Sequence, residues 1–322
     1  MLTFVVRRVA YSIPVLIVAS FLLFCIVRVT FDPTANLRQS RDVNAVQRER
    51  DRLGLDDPLV IQYTNWAGDF VTGDWGESDR TREDVFPMIR RALWVTMQLI
   101  FWGIAISALI AIAVGVYSAV RQYSIPDYIF TGIAFIAVAM PPFWFGLMAI
   151  KWLAVEPQQA WNLDDPPFYF VGLHSATGDS GFLDYARHLV LPVMTLTVQI
   201  VASWTRYQRA SMLDSLSSDY VRTARAKGVP RRKVIFKHGL RNALIPLVTV
   251  MAVDIGLLFG GLIITETIFS IPGMGRLFFD SLQRGDAPVL AAWVVVTAAF
   301  VIAFNLVADT LYAWLDPRIR LG

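Results

Sequence analysis

Ser218-Asp219-Tyr220-Val221-Arg222-Thr223-Ala224-Arg225-Ala226-Lys227-Gly228-Val229-Pro230 is a short, basic, small-residue helix pattern set between two long apolar stretches. Asp219 is placed as the N-cap of a helix starting at Tyr220. Gly228 suits the position just past a helix end, where positive φ is needed. Pro230 prevents continuation and can open the next helix. A helix of about two turns is marginal alone in water, so packing has to hold it. Ala224, Ala226 and Gly228 admit a close partner backbone, while Arg222, Arg225 and Lys227 offer charge to an acidic or polar groove. The residues alone leave two readings open. One is a docking lever; the other is a basic loop that touches lipid headgroups.

Outward from this segment the chain is apolar in blocks. Of its 322 residues 55% are hydrophobic and 17% charged, against about a quarter charged in a soluble domain. Its mean hydropathy is +0.50. A bilayer span needs about 20 apolar residues. Stretches of that length fall at Val9–Val29, Leu93–Tyr117, Tyr128–Leu153, Leu189–Tyr207, Ala243–Thr265 and Pro288–Trp314. The first follows Arg7-Arg8, is too long for a signal-peptide core and lacks a small-x-small cleavage site, so it reads as an uncleaved span. The single cysteine, Cys25, sits in that run and permits no intrachain disulfide framework. The expected fold class is an all-α integral membrane protein with six transmembrane helices, lying in a plasma or inner membrane.

Charge orients it. Residues 205–242 hold ten cations, among them Arg206, Arg209, Arg231, Arg232, Lys233, Lys237 and Arg241, against Asp214 and Asp219, a net +8. The segment 154–186 has Glu156, Asp164, Asp165, Asp179 and Asp184 and no Lys or Arg. Basic loops stay cytoplasmic, so both termini are expected inside. The divisions that follow are a cytoplasmic N-terminus 1–8, a first span 9–29, an external loop or cap 30–92, a five-helix core 93–315 containing the loop 208–242, and a cytoplasmic tail 316–322. Within the long loop, Asn44–Leu53 suits an amphipathic helix and Asp74-Trp75-Gly76 a turn. The loop is either a cap or partner surface, or a solvated connector.

A charge inside a span costs about 2.5–3.5 kcal/mol on insertion scales, so it calls for a reason. Asp254, midway along the fifth span, either lines a translocation path or bonds a neighbouring helix. Gly256 and Gly260 form a small-xxx-small pair suited to packing against a partner helix. Pro141-Pro142 should kink the third span toward protein or water, next to the same path. Lys151, Arg28 and Asp309 lie near span ends, where long side chains reach the interface. Ser270-Ile271-Pro272-Gly273, with Leu277-Phe278-Phe279, is either a re-entrant gate or a surface loop.

An enzyme reading does poorly. There is no phosphate-binding Gly-x-x-x-x-Gly-Lys-Ser/Thr loop. His174, His188 and His238 make no metal-ligand spacing, and no nucleophile elbow is present. No metal site, cofactor or nucleic-acid partner is expected on this chain. The rival from another class is a secondary transporter, but that would show two related halves with interrupted spans, and no such repeat is visible.

The residues from Tyr220 to Gly228, followed by His238-Gly239-Leu240-Arg241-Asn242-Ala243-Leu244, resemble the cytoplasmic "EAA" loop of ABC importer permeases. They are most similar to the B-type branch of the dipeptide/oligopeptide permease family. Gly228 fits the loop glycine, with His238 beyond it; Arg222 and Thr223 replace its Glu-Ala, and Arg241 stands at its proline. Further matches are Arg7-Arg8 with Ile13-Pro14-Val15, Leu53-Gly54-Leu55-Asp56-Asp57-Pro58 with Gln62-Tyr63, and Gly73-Asp74-Trp75-Gly76-Glu77-Ser78. Pro141-Pro142-Phe143-Trp144, His188-Leu189-Val190-Leu191-Pro192, the run Glu266 to Arg276 and Asp316-Pro317-Arg318-Ile319-Arg320 complete the series in order, covering nearly the whole chain. The resemblance implies a type I ABC importer permease forming half a pore. Its coupling helix would comprise Asp219, Tyr220, Arg222, Thr223, Ala224, Arg225, Ala226, Lys227 and Gly228, with His238 nearby. It implies two ATP-binding subunits that carry ATP and Mg, a second homologous permease, an external substrate-binding protein and a surrounding lipid bilayer. Peptides are the implied cargo; metal chelates or haem are the alternative within the same architecture.

Overall fold

The computed structural model describes residues 2–31, 34, 44–52, 54–175, 181–259 and 262–315. In chain order its helices begin with α1 (Leu2–Thr30), α2 (Ala45–Arg52), α3 (Leu59–Thr72) and α4 (Val85–Val120). Then come α5 (Ile125–Ala139), α6 (Pro142–Ile150), a π-helical turn Lys151–Val155, α7 (Glu156–Ala160) and α8 (Phe182–Ser217). Next are α9 (Asp219–Ala226), α10 (Arg231–Lys233), a π-helical segment Val234–Gly239 and α11 (Leu240–Phe259). The series closes with α12 (Ile263–Ile268), α13 (Met274–Arg284) and α14 (Ala287–Leu315). Among the described residues the only β pairing is an isolated antiparallel bridge between Glu77 and Asp84.

Five helical stretches are long and apolar enough to cross a membrane: Ala10–Thr30, Val85–Val120, Phe182–Ser217, Arg231–Leu258 and Ala287–Val307. A sixth candidate is broken, with Ile125–Ala139 and Pro142–Ala160 meeting at 104°. The expected span Tyr128–Leu153 carries its expected kink at Pro141-Pro142, sharp enough to divide it into two helices. The physical cause is consecutive prolines. Met140 and Pro141 each precede a proline and take extended backbone, with ψ of 126° and 136°. The expected span Ala243–Thr265 also ends earlier, since α11 stops at Phe259 and α12 is separate. α4 and α8 run to 36 residues each, about 54 Å at 1.5 Å per residue. Both exceed the hydrocarbon thickness of about 30 Å, so the spans read at Leu93–Tyr117 and Leu189–Tyr207 are only their apolar middles. The tail 316–322 and Gly260 lie outside the described residues.

The chain divides into two compact units, Met1–Thr96 with Pro272–Ala303, and Met97–Ile271 with Phe304–Gly322. In the first unit α3 and the described residues leading to α4 are tied by side-chain packing, which is more than a solvated connector would show. Tyr63 on α3 packs edge-on against Phe21 and Phe24 of α1, and its hydroxyl lies 2.7 Å from Ser20 Oγ. Trp75 stacks on Phe70 and its indole donates to the Phe70 carbonyl at 3.0 Å. The turn at Asp74-Trp75-Gly76 is present, closed by Gly76 N–H donating to Asp74 Oδ1 at 3.0 Å. The unit's core joins Val85, Ile89 and Ala92 to Met274, Val289, Ala292 and Trp293. Trp293 Nε1 donates to the Met274 carbonyl at 2.7 Å, and Met274 N–H donates to Thr96 Oγ1 at 2.8 Å.

In the second unit α8 is the central post. Trp204 with Ala111 and Leu247 forms one fully buried cluster, and Met212 with Val116, Ala119 and Ala243 forms a second buried cluster. Small residues allow the close packing. A Cβ on Gly115 of α4 would lie 2.7 Å from Gln208 Cβ of α8 and 3.1 Å from the Thr205 carbonyl. The segment after α12 is no surface loop: Phe269 and Ile271 are fully buried. The Phe269 carbonyl accepts from Gly172 N–H at 2.9 Å.

Candidate functional site

α9 forms where the pattern places it, with one correction. Ser218, in extended backbone, occupies the N-cap position, and Asp219 is the first helical residue. There its carboxylate still faces the positive end of the helix dipole, and Arg222 approaches it at 3.5 Å. The other end follows the reading. Gly228 has φ of +74°, its N–H donates to the Arg225 carbonyl at 3.0 Å, and Val229 N–H donates to the Ala224 carbonyl at 3.2 Å. This paired closure satisfies two terminal carbonyls and calls for a residue without Cβ at position 228.

The helix has an inner and an outer face. Val221 and Ala224 are buried, packed with Val234 and beside Val229. Asp219, Tyr220, Arg222, Thr223, Arg225, Ala226, Lys227 and Gly228 are exposed. Ala224 thus spends its small size on the chain's own loop, whereas the pattern had suggested room for a partner; Ala226 and Gly228 do lie outside. His238 is half-buried in the π-helical segment.

Two bonds tie this region to α8 and a two-bond fork ties α8 to α5, and none of them is legible in the sequence. The Tyr220 hydroxyl and Ser215 Oγ on α8 are 2.7 Å apart, and Ser215 Oγ donates to the Gly239 carbonyl at 2.8 Å. Arg209 on α8 grips Asp127 on α5 with two bonds, Nε and Nη2 each 2.8 Å from a carboxylate oxygen. In the sequence Arg209 counts only as a loop charge and Asp127 is not singled out, since nothing local marks partners 82 positions apart.

The polar residues of the spans fall as follows. Asp254 on α11 accepts from Trp204 Nε1 of α8 at 2.7 Å, which is the helix-bonding geometry of its two readings. The bend at Met140 frees a carbonyl, and Gln199 Nε2 of α8 donates to it at 2.9 Å. Pro141 is exposed and Pro142 half-buried. A shallow apolar cavity of about 450 Å³ opens beside them, lined by Ile136, Ala139, Met140, Pro141, Phe143 and Trp144. Gly256 is buried. Neither Asp254 nor Gly256 lines that cavity. Among the described residues no group of three or more potential metal ligands occurs.

A family model described as "Binding-protein-dependent transport system inner membrane component" matches residues 111–321. A second, described as "Binding-prot-dependent transport system membrane comp, N-term", matches residues 1–100. The oligopeptide transport system permease protein AppB of Bacillus subtilis is 39% identical over 323 residues, covering 99% of this chain and 100% of its own. The dipeptide transport system permease protein DppB of Escherichia coli K12 is 36% identical over 340 residues, with 99% of each chain covered. The di/tripeptide transport system permease protein DppB of Pseudomonas aeruginosa is 35% identical over 333 residues, again with 99% of each covered.

Proposed function

The chain belongs to the family of binding-protein-dependent transport system inner membrane components, and on that premise we propose that it is one permease subunit of an ATP-driven peptide importer. It is a multi-pass membrane protein. Peptide cargo is supported by relatives at 35–39% identity whose names specify oligopeptides, dipeptides or di- and tripeptides. In the proposed assembly a second homologous permease completes the pore. Two ATP-binding subunits hold ATP and Mg, and an external binding protein delivers cargo. The charge count supports a cytoplasmic Ser218–Pro230 loop, cytoplasmic termini and an external face for residues 30–92.

The mechanism is alternating access. The observation that carries it is the outward basic face of α9, fixed from beneath by Val221 and Ala224 and closed at its C-terminal end by Gly228. Closing of the partner ATPase dimer around its nucleotide draws α9 inward. The Tyr220–Ser215–Gly239 bonds pass that motion to α8 and to the start of α11. Asp254 and the bend at Pro141-Pro142 are proposed as part of the path wall; Gly256, buried within the chain, packs inside it rather than against the partner permease.

The test is reconstitution of the whole complex in proteoliposomes, with ATP-dependent uptake of labelled di- and oligopeptides measured against haem and metal-chelate competitors. Peptide uptake abolished by Arg222→Glu with Arg225→Glu, together with loss of ATPase-subunit co-purification, is the expected result. Unimpaired co-purification and uptake in that variant would remove α9 from the coupling role.

A further inference from the structure

We propose that α5 and α8 move as one lever, clamped at both ends, and that Asp127, Arg209 and Gln199 are positioning residues carrying the motion of α9 to the bend at Met140. The inference rests on the coupling reading above and adds the route by which force leaves the loop.

One clamp is the Arg209–Asp127 fork, with both bonds at 2.8 Å. A two-bond guanidinium–carboxylate pair fixes direction as well as distance. Asp127 is only 2% exposed and also accepts from Tyr123 N–H at 2.9 Å, so it is anchored to the turn that starts α5. The other clamp is at the opposite end of α5. Gln199 Nε2 donates at 2.9 Å to the Met140 carbonyl, which the proline bend has deprived of its helical donor.

Between the clamps the two helices touch through small side chains, Ala134 and Ala137 on α5 and Ala202 on α8, beside Val198. A smooth alanine seam resists sliding poorly. Two directional clamps separated by ten residues of α8, about 15 Å, remove both sliding and rolling. α8 runs unbroken from Gln199 through Arg209 to Ser217, and α9 begins two residues later. A displacement of α9 therefore reaches Met140 along a connected series of helices and bonds within one compact unit. The bend in the third span is the place where such a lever would change the path.

The experiment uses the full complex in proteoliposomes and reads peptide accumulated per ATP hydrolysed in the same vesicles. Arg209→Lys keeps the charge and loses the fork; Gln199→Leu removes the other clamp. Each is expected to hydrolyse ATP while yielding about tenfold less peptide per ATP, the size of an ordinary coupling between distant sites. Wild-type yield in both variants would overturn the proposal. A second arm removes no bond. In a Cys25→Ala background, Ala134→Cys with Ala202→Cys lets the seam be cross-linked. If the helices travel together, the cross-linked complex transports at its uncross-linked rate; arrest on cross-linking would overturn the lever. Where a clamp variant fails to assemble, this arm alone decides. Failure of the importer reading is separate, because it shows as wild-type vesicles that hydrolyse ATP without accumulating peptide.

Discussion

Asp254 takes a hydrogen bond from Trp204, whose side chain is wholly buried. Removing the acceptor therefore has a cost beyond the lost bond, because an indole N–H stranded away from water destabilises by about 1–3 kcal/mol. Asp254→Leu is expected to lower the thermal midpoint of the purified complex, whereas Asp254→Asn retains an oxygen for Trp204 and should melt near wild type. The Asn variant then isolates the charge. If the proposed path includes Asp254, Asp254→Asn shifts peptide uptake kinetics without shifting the melt; unchanged kinetics would leave it a purely structural acceptor. Gly115 makes a second point about single residues. Its missing Cβ is what lets α4 approach Gln208 and the Thr205 carbonyl, so Gly115→Ala should destabilise by about 1–3 kcal/mol through overpacking, read as a lower unfolding midpoint. The sequence marks Asp254 as costly but hides its partner. Trp204 sits 50 positions away and reads as one more apolar residue in a span, because only the folded helices reveal which face its N–H meets.

α9 shows which features of an element are local. Its length and C-terminus are legible because Gly228 and Pro230 act through their own backbone limits. Its N-terminus is read one residue late, since Ser218 and Asp219 are both competent caps and only the backbone dihedral separates them. Its inner face is not legible at all. Ala224 and Ala226 look alike in sequence, yet only Ala224 packs with Val221 and Val234. A bulky probe at Ala224 would break the loop itself, so the outer face is better probed at Arg222 and Arg225. The tie beneath the helix is testable by Tyr220→Phe, which deletes the hydroxyl beside Ser215. That variant is expected to keep its ATPase subunits through co-purification while its peptide-stimulated hydrolysis falls severalfold, consistent with coupling of about 1 kcal/mol or more. Full stimulation would show that α9 drives α8 by other contacts. The third span behaves the same way. Pro141-Pro142 announces a bend, but the 104° angle and the Gln199 donor depend on what lies alongside.

For the whole molecule, hydropathy identifies the number of apolar segments well, because length and composition alone decide whether a helix can sit in lipid. It does not reveal that residues 272–303 fold into one unit with 1–96 through Met274, Val289 and Trp293, a pairing across nearly 180 intervening residues. It also does not reveal that the span nearest the middle of the chain is broken. Orientation is a different kind of inference, since it comes from charge summed over loops. Residues 205–242 carry a net +8, while 154–186 carry five carboxylates and no Lys or Arg. Reversing the molecule would export the basic loop against the bias that sets topology. The proposed orientation therefore predicts opposite accessibility for two exposed positions, Asp165 and Lys227. In a Cys25→Ala background, a membrane-impermeant maleimide should label Asp165→Cys in intact cells and Lys227→Cys only in inside-out vesicles. Labelling of Lys227→Cys from outside would place α9 on the wrong side for any ATP-binding subunit. The docking role would then fail even with its helix geometry intact, because a helix can transmit force only to a partner on its own side of the membrane.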